Sequence, residues 1–169
     1  MRLMLAVLLF AAAPLFADPL VINTSFNDTG AGAAQSYVHD DADPFAGWVT
    51  VNVTNNGTEA WGDFHFEIYD PMGNQDISNV DFLVDPPYEP MSTQSPLTWV
   101  VDNVSVGAKL DLYYYGDPVN PGDSATFEVY TSNPDQLSFF GVMVYPTPIP
   151  EPASLLLFGL GAALALRRR

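Results

Sequence analysis

The 169-residue chain contains no cysteine. Disulfides, thiol catalysis and cysteine-based metal sites are therefore excluded, and any folded domain must be stabilised by burial alone. Histidine is almost as scarce, with only His39 and His65. The sequence also lacks a Gly-x-Ser-x-Gly, a His-Glu-x-x-His and a phosphate-binding loop. These absences predict that the protein is not an enzyme, with one alternative left open: Glu59, Asp63 and Glu67 could include a glycosidase-like acid and nucleophile.

Basic residues are nearly confined to the two ends of the chain. Arg2 lies at the start and three arginines end the chain, so Lys109 is the one cation between them. All twenty acids lie between Asp18 and Glu151, which gives that span a formal charge of −19. Such a surface repels phosphates, so no nucleic-acid partner is expected. It attracts cations, although an acidic surface also simply keeps an exported protein soluble.

The first seventeen residues, MRLMLAVLLFAAAPLFA, are predicted to be a signal peptide. One arginine precedes an apolar run, which is followed by Pro14 and small residues, the usual order of charged start, apolar centre and cleavage site. We expect cleavage after Ala17, with Ala13 as the second choice. The apolar run is shorter than the roughly 20 residues that a permanent anchor needs. The secretion translocon is therefore an expected partner.

The C-terminal segment has three parts in a fixed order. Residues 146–152 form a proline-rich linker, which the prolines at 146, 148, 150 and 152 should hold extended. Residues 153–166 carry no charge and predict a transmembrane helix of about 21 Å, shorter than the roughly 30 Å hydrocarbon core. The cluster Arg167, Arg168 and Arg169 should stay cytoplasmic, which puts the preceding domain outside. The signal peptide predicts the same orientation.

This tail resembles that of the PEP-CTERM proteins of Gram-negative bacteria. The resemblance consists of the sorting motif Pro150, Glu151 and Pro152, then Ala153-Ser154, the apolar stretch and the terminal arginines. It implies recognition by an exosortase, a membrane protease or transpeptidase that cuts near the motif. It also implies an exported protein that is held at the inner membrane facing the periplasm and then reaches the cell surface or medium. A link to extracellular polysaccharide and biofilm is implied in the same way.

The middle of the chain, residues 18–145, predicts an all-β ectodomain. In FAGWVTVNVTN, Val49, Val51 and Val53 alternate with polar residues, and Phe64, Phe66 and Ile68 do the same further on. The intervening Asn55-Asn56-Gly57-Thr58 is a strong hairpin signal. About eight short strands separated by Pro/Gly turns favour a single antiparallel β-sandwich, Ig-like or jelly-roll-like. Seven aromatic residues are expected mainly in its core: Trp48, Trp61, Phe64, Phe66, Trp99, Phe127 and Phe140.

Two features could bind a ligand. The loop 70–76 offers Asp70, Asn74 and Asp76 as calcium ligands, and the loop 39–43 is a second possibility, although both also fit ordinary solvated turns. No cofactor is expected unless calcium binds here, and zinc at His39 beside Asp40 is a weaker alternative.

The run Tyr113-Tyr114-Tyr115 should present at least one ring to solvent, because neighbouring strand residues point to opposite faces. With Asp111 and Asp117 nearby, an exposed ring could stack on a sugar, the alternative being ordinary packing on both faces. The sequence thus favours a structural, adhesive or polysaccharide-associated surface protein. A calcium-stabilised module and a polysaccharide-acting enzyme are the alternatives.

Overall fold

The computed structural model describes residues 20–40, 46–134, 137 and 139–149, with residues 39 and 40 described by their backbone alone. Several predictions fall outside this part of the chain: the signal peptide 1–17 with its cleavage at Ala17, the side chains of the loop 39–43, the motif Pro150–Pro152, the helix 153–166 and the cluster Arg167–Arg169. Among the described residues, no helix is long and apolar enough to cross a membrane.

The described residues form ten strands and one 3₁₀ turn at Ala31–Ala33. The strands are β1 Leu20–Phe26, β2 Gln35–Asp40, β3 Gly47–Asn55, β4 Trp61–Tyr69, β5 Asp81–Leu83, β6 Met91–Ser92, β7 Thr98–Asp102, β8 Lys109–Tyr113, β9 Ser124–Ser132 and β10 Phe139–Pro148. The prediction of an all-β domain is confirmed.

The strands build two five-stranded sheets. The first sheet has the order β1-β3-β9-β5, with β6 also paired to β9, and the second has the order β2-β10-β4-β8-β7. The prediction of a wholly antiparallel arrangement is wrong at one place, because β1 and β3 are parallel, with Leu20 opposite Val49. The physical reason is the intervening β2, which lies in the second sheet. The chain leaves the first sheet and returns to it in its original direction.

The core lies between the two sheets. Val49, Val51 and Val53 are at most 1% exposed and belong to the inner face of the first sheet. Phe64 of the second sheet stacks on Phe127 of the first, with ring centroids 4.6 Å apart. Such pairs join the sheets by burying large apolar area. The core prediction holds for five of the seven aromatic residues; Trp48 and Trp99 are half-buried.

The Asn55–Thr58 turn does not close a hairpin. β3 belongs to the first sheet and β4 to the second, so this turn carries the chain across the sandwich. The Asn55 side chain, fully buried, donates from Nδ2 to the carbonyls of Glu59 at 2.8 Å and Val119 at 2.9 Å. Its Oδ1 accepts from the Gly57 amide at 3.0 Å. The same residues that favour a hairpin turn thus stabilise a crossing between sheets.

The last strand extends past the predicted end of the ectodomain at residue 145. β10 continues to Pro148, with Pro146 opposite Phe64 of β4. The amide of Ile149 then donates to the carbonyl of Ala60 at 3.2 Å. Residues 146–149 are therefore part of the folded sandwich, although the prolines had suggested a free linker.

Candidate functional site

A polar cluster lies on the outer face of the second sheet. Because β4 buries Phe64 and Phe66, the alternation of the strand places Asp63, His65 and Glu67 on the other face. The sheet register puts Asp111 of β8 and Tyr145 of β10 on either side of His65. Residues far apart in sequence are thus brought together by three neighbouring strands.

His65 is the centre of this cluster. Its Nδ1 lies 2.6 Å from Asp111 Oδ1, and its Nε2 lies 3.2 Å from the Thr147 hydroxyl. The imidazole stacks on the ring of Tyr145, with centroids 4.7 Å apart and planes inclined by 20°. Both ring nitrogens therefore have partners and the ring stacks on Tyr145, so the imidazole has a fixed orientation.

Asp63 completes the cluster and is buried, with 7% of its surface exposed. Its Oδ1 accepts a hydrogen bond from the Thr147 hydroxyl, and its Oδ2 accepts one from the Tyr115 hydroxyl at 3.3 Å. Asp63 Oδ2 also lies 3.8 Å from His65 Nε2. Burial raises the pKa of Asp63 above its ordinary value, while His65 and the Tyr115 hydrogen bond act in the opposite direction. The proximity of Asp111 raises it further.

The arrangement does not favour glycoside hydrolysis. Asp63 and Glu67 lie four residues apart on one strand, which is about 13 Å along the backbone. Glycosidase carboxyl pairs are separated by only about 5–9.5 Å. Glu67 is also paired with Lys109 at 3.2 Å, and Glu59 lies in the loop before β4, where it accepts a hydrogen bond from Thr29. The structure therefore does not bring the three predicted carboxylates into one catalytic pair.

Nucleophilic catalysis is disfavoured by the same geometry. Thr147, His65 and Asp111 follow one another in the order hydroxyl, imidazole, carboxylate, as in a hydrolase triad. However, the Thr147 hydroxyl has a single proton and donates it to Asp63. With its proton committed to a buried carboxylate, this hydroxyl is held as a structural link between β10 and β4.

The tyrosine run divides between core and surface. Tyr114 is 1% exposed, whereas Tyr115 is 46% exposed and Tyr113 is half-buried. The rings of Tyr113 and Tyr115 lie 5.9 Å apart and are inclined by 35°. The prediction that at least one ring faces solvent is confirmed. Asp111 interacts with both His65 and Tyr113. Asp117 accepts from the Ser95 amide at 3.2 Å, so neither predicted acid flanks these rings as a free carboxylate.

The predicted calcium loop is organised by its own backbone. Asp70 accepts from the amides of Met72 at 2.8 Å and Gln75 at 2.6 Å, and Asp76 accepts from the Ser78 amide at 3.1 Å. The Gln75 hydrogen bond, above all, lowers the pKa of Asp70. Among the described residues, no three His, Asp or Glu side chains form a group that could hold a metal ion. Calcium binding by Asp70, Asn74 and Asp76 stays a prediction.

Comparison with known proteins identifies the tail of the chain. Residues 148–169 match the family model described as the PEP-CTERM protein-sorting motif. The chain carries a PEP-CTERM sorting signal. This confirms the resemblance seen in Pro150-Glu151-Pro152 and implies processing by an exosortase. The sorting signal begins at Pro148, inside β10, so its first two residues belong to the folded sandwich. No curated protein and no solved structure matches the chain.

Proposed function

We propose that the protein is a non-enzymatic component of the cell surface or extracellular matrix, associated with extracellular polysaccharide. It is exported through the translocon, held at the inner membrane facing the periplasm, and processed by an exosortase. The observation that carries export and processing is the PEP-CTERM sorting signal at residues 148–169. The predicted signal peptide supports the same route, because it independently directs the domain outward.

A binding role is supported by the chemistry of the sandwich surface. The outer face of the second sheet carries the Tyr113 and Tyr115 rings next to the polar cluster around His65. Exposed aromatic rings with neighbouring hydrogen-bonding groups are suited to flat, hydroxyl-rich ligands. The carboxylates of the cluster are occupied by partners within the fold, which supports binding without turnover.

Processing is tested by removing residues 150–169 in the native host. The truncated protein should lose its surface retention, and its mass should change on maturation only by removal of the predicted signal peptide. Two single substitutions distinguish loss of the sorting motif from loss of one negative charge. Glu151→Ala should block processing, whereas Glu89→Ala, which removes an exposed acid from the folded domain, should not. Unchanged localisation after the truncation, or unchanged processing of Glu151→Ala, would contradict the proposal.

The non-enzymatic role is tested on the purified protein with a glycan array and a reducing-end assay on the glycans it binds. Binding without release of new reducing ends is expected. Glycan cleavage that is lost in Asp63→Asn or Glu67→Gln would instead support the alternative of a polysaccharide-acting enzyme.

A calcium-stabilised surface module is the second proposal. It is supported by the composition of the loop 70–76, in which Asp70, Asn74 and Asp76 supply side-chain oxygens of the kind that calcium prefers. Calcium at about 100 times its dissociation constant should then stabilise the fold by about 2.7 kcal/mol. Thermal unfolding in millimolar calcium, compared with magnesium, measures this, and an unchanged Tm in calcium would remove the proposal.

A further inference from the structure

An uncharged groove runs across the outer face of the first sheet. It has a volume of about 380 Å³ and is lined by β1, β3, β9 and the residues after β6. Its lining residues are polar or small and none is ionisable: Asn23, Thr24, Asn52, Val53, Thr54, Thr93, Ser124, Ala125 and Thr126. This stands out in a span with twenty acids and one lysine. A surface without charge in so acidic a domain is suited to a ligand without charge.

The groove is organised by hydrogen bonds between strands. The Asn52 amide donates to Asn23 Oδ1 at 3.0 Å, and Thr126 donates to Asn52 Oδ1 at 2.8 Å. One step along the strands, the hydroxyls of Thr54 and Ser124 lie 2.8 Å apart. These bonds fix the side chains before any ligand arrives, which lowers the entropy cost of binding.

The network leaves hydrogen-bonding capacity for a ligand. Within the described part of the chain, the NH₂ group of Asn23 makes no hydrogen bond, and the exposed Thr54–Ser124 pair has lone pairs to spare. An amide NH₂ group donates twice and a hydroxyl both donates and accepts. The groove therefore offers donors and acceptors together, as the hydroxyl groups of a sugar require.

Aromatic rings lie further along the same face. Trp48 and Tyr130 form an edge-to-face pair with centroids 5.5 Å apart, and Tyr88 lies 4.2 Å from Tyr130. Trp48 and Asn52 point to the same face and are four residues apart on β3, about 13 Å along the strand. Glu128 stands between the two regions, opposite Thr50. This carboxylate would repel a negatively charged chain.

We propose that the outer face of the first sheet is a binding site for a neutral polysaccharide chain, which lies in the Asn/Thr groove and extends toward Trp48 and Tyr130. The inference rests on the proposed function and gives it a location and a ligand class. The outer face of the second sheet is less suitable, because its polar side chains already have partners within the fold. Asp63 bonds to Thr147, His65 to Asp111 and Glu67 to Lys109. The first sheet combines free hydrogen-bonding capacity, rings and the absence of charge in its groove.

The test is affinity electrophoresis of the purified mature protein in gels containing dextran, galactomannan or mixed-linkage β-glucan, with alginate as the anionic comparison. We expect retardation by at least one neutral polymer and none by alginate. Asn52→Asp keeps the side-chain shape, but it adds a charge to the groove and removes the amide donor that positions Asn23, so it should weaken binding about tenfold or more. Trp48→Ala should weaken it as well.

Matched variants keep the result interpretable. Thr54→Val removes a groove hydroxyl without changing side-chain shape, and Thr98→Val makes the same change on an exposed position of the second sheet. Thr54→Val should reduce binding and Thr98→Val should not, with unchanged thermal unfolding for both. Binding that survives every groove variant would overturn this site while leaving the polysaccharide-associated function intact. Stronger retardation by alginate would overturn the neutral ligand class, and no retardation by any neutral polymer would overturn the inference.

Discussion

The buried Asn55 provides the sharpest test of how the two sheets are joined. Asn55→Ala removes three hydrogen bonds: two donated by Nδ2, to Glu59 and Val119, and one accepted from the Gly57 amide. Since each intramolecular hydrogen bond contributes about 1 kcal/mol net, the loss should be about 3 kcal/mol. That is a large part of the roughly 5–15 kcal/mol that stabilises a typical domain. Urea denaturation followed by tryptophan fluorescence measures this loss in the free energy of unfolding. In thermal unfolding, the same loss should lower Tm by about 10 °C.

The neighbouring asparagine supplies the control. Asn56 is exposed, and its side chain makes no hydrogen bond to another described residue, although its backbone amide donates to Phe26. Asn56→Ala should therefore change the free energy of unfolding by no more than about 0.5 kcal/mol. Equal effects at the two positions, or a loss at Asn55 below about 1 kcal/mol, would refute the assignment of the buried amide as the link between sheets.

Three further predictions concern charge and processing. Burial raises the pKa of Asp63, so ionisation of this carboxyl opposes folding. Its contribution to the free energy of unfolding therefore falls as pH rises through the folded-state pKa. In urea titrations, the stability of Asp63→Asn relative to the native protein should increase between about pH 3 and pH 7. The opposite sign applies to Asp70, because hydrogen bonds lower its pKa in the folded state. The native protein should be more stable than Asp70→Asn at neutral pH, and this difference in the free energy of unfolding should disappear as pH falls through the lowered pKa. A pH-independent difference would contradict the prediction. A Gly/Ser spacer inserted after Ile149 should speed exosortase processing in cells, because the sorting signal begins within β10 and the spacer separates the motif from the folded strand. The rate of conversion to mature mass measures this effect. A spacer placed in the turn after Gly122 is the control.

Local patterns in the sequence predicted most of the strands. The alternation of Val49, Val51 and Val53 identified the buried face of β3, because a half-buried strand must alternate. Gln35–Asp40 was not predicted, because QSYVHD is short and mostly polar. It is an edge strand whose pairing to β10 supplies its hydrogen bonds.

Long-range pairing was beyond the sequence alone. Alternation placed His65 on the face opposite Phe64 and Phe66. Nothing local links His65 to Asp111, 46 residues away, or to Thr147, 82 residues away. The hairpin signal at Asn55 was misleading for the same reason. A turn sequence specifies how the backbone reverses, whereas the partner of each strand is decided by which faces must be buried together.

The overlap between β10 and the sorting signal connects the folding of the domain with the processing of its tail. Pro148 and Ile149 belong both to the folded sandwich and to the PEP-CTERM match, and the cluster around Thr147 fixes the strand immediately before them. A protease that binds its substrate as an extended strand would need backbone groups that β4 already occupies. The stability of the C-terminal end of β10 should therefore influence how quickly the tail is processed. Substitutions at Thr147, which lies outside the motif's match, become a means of changing processing without altering the signal itself.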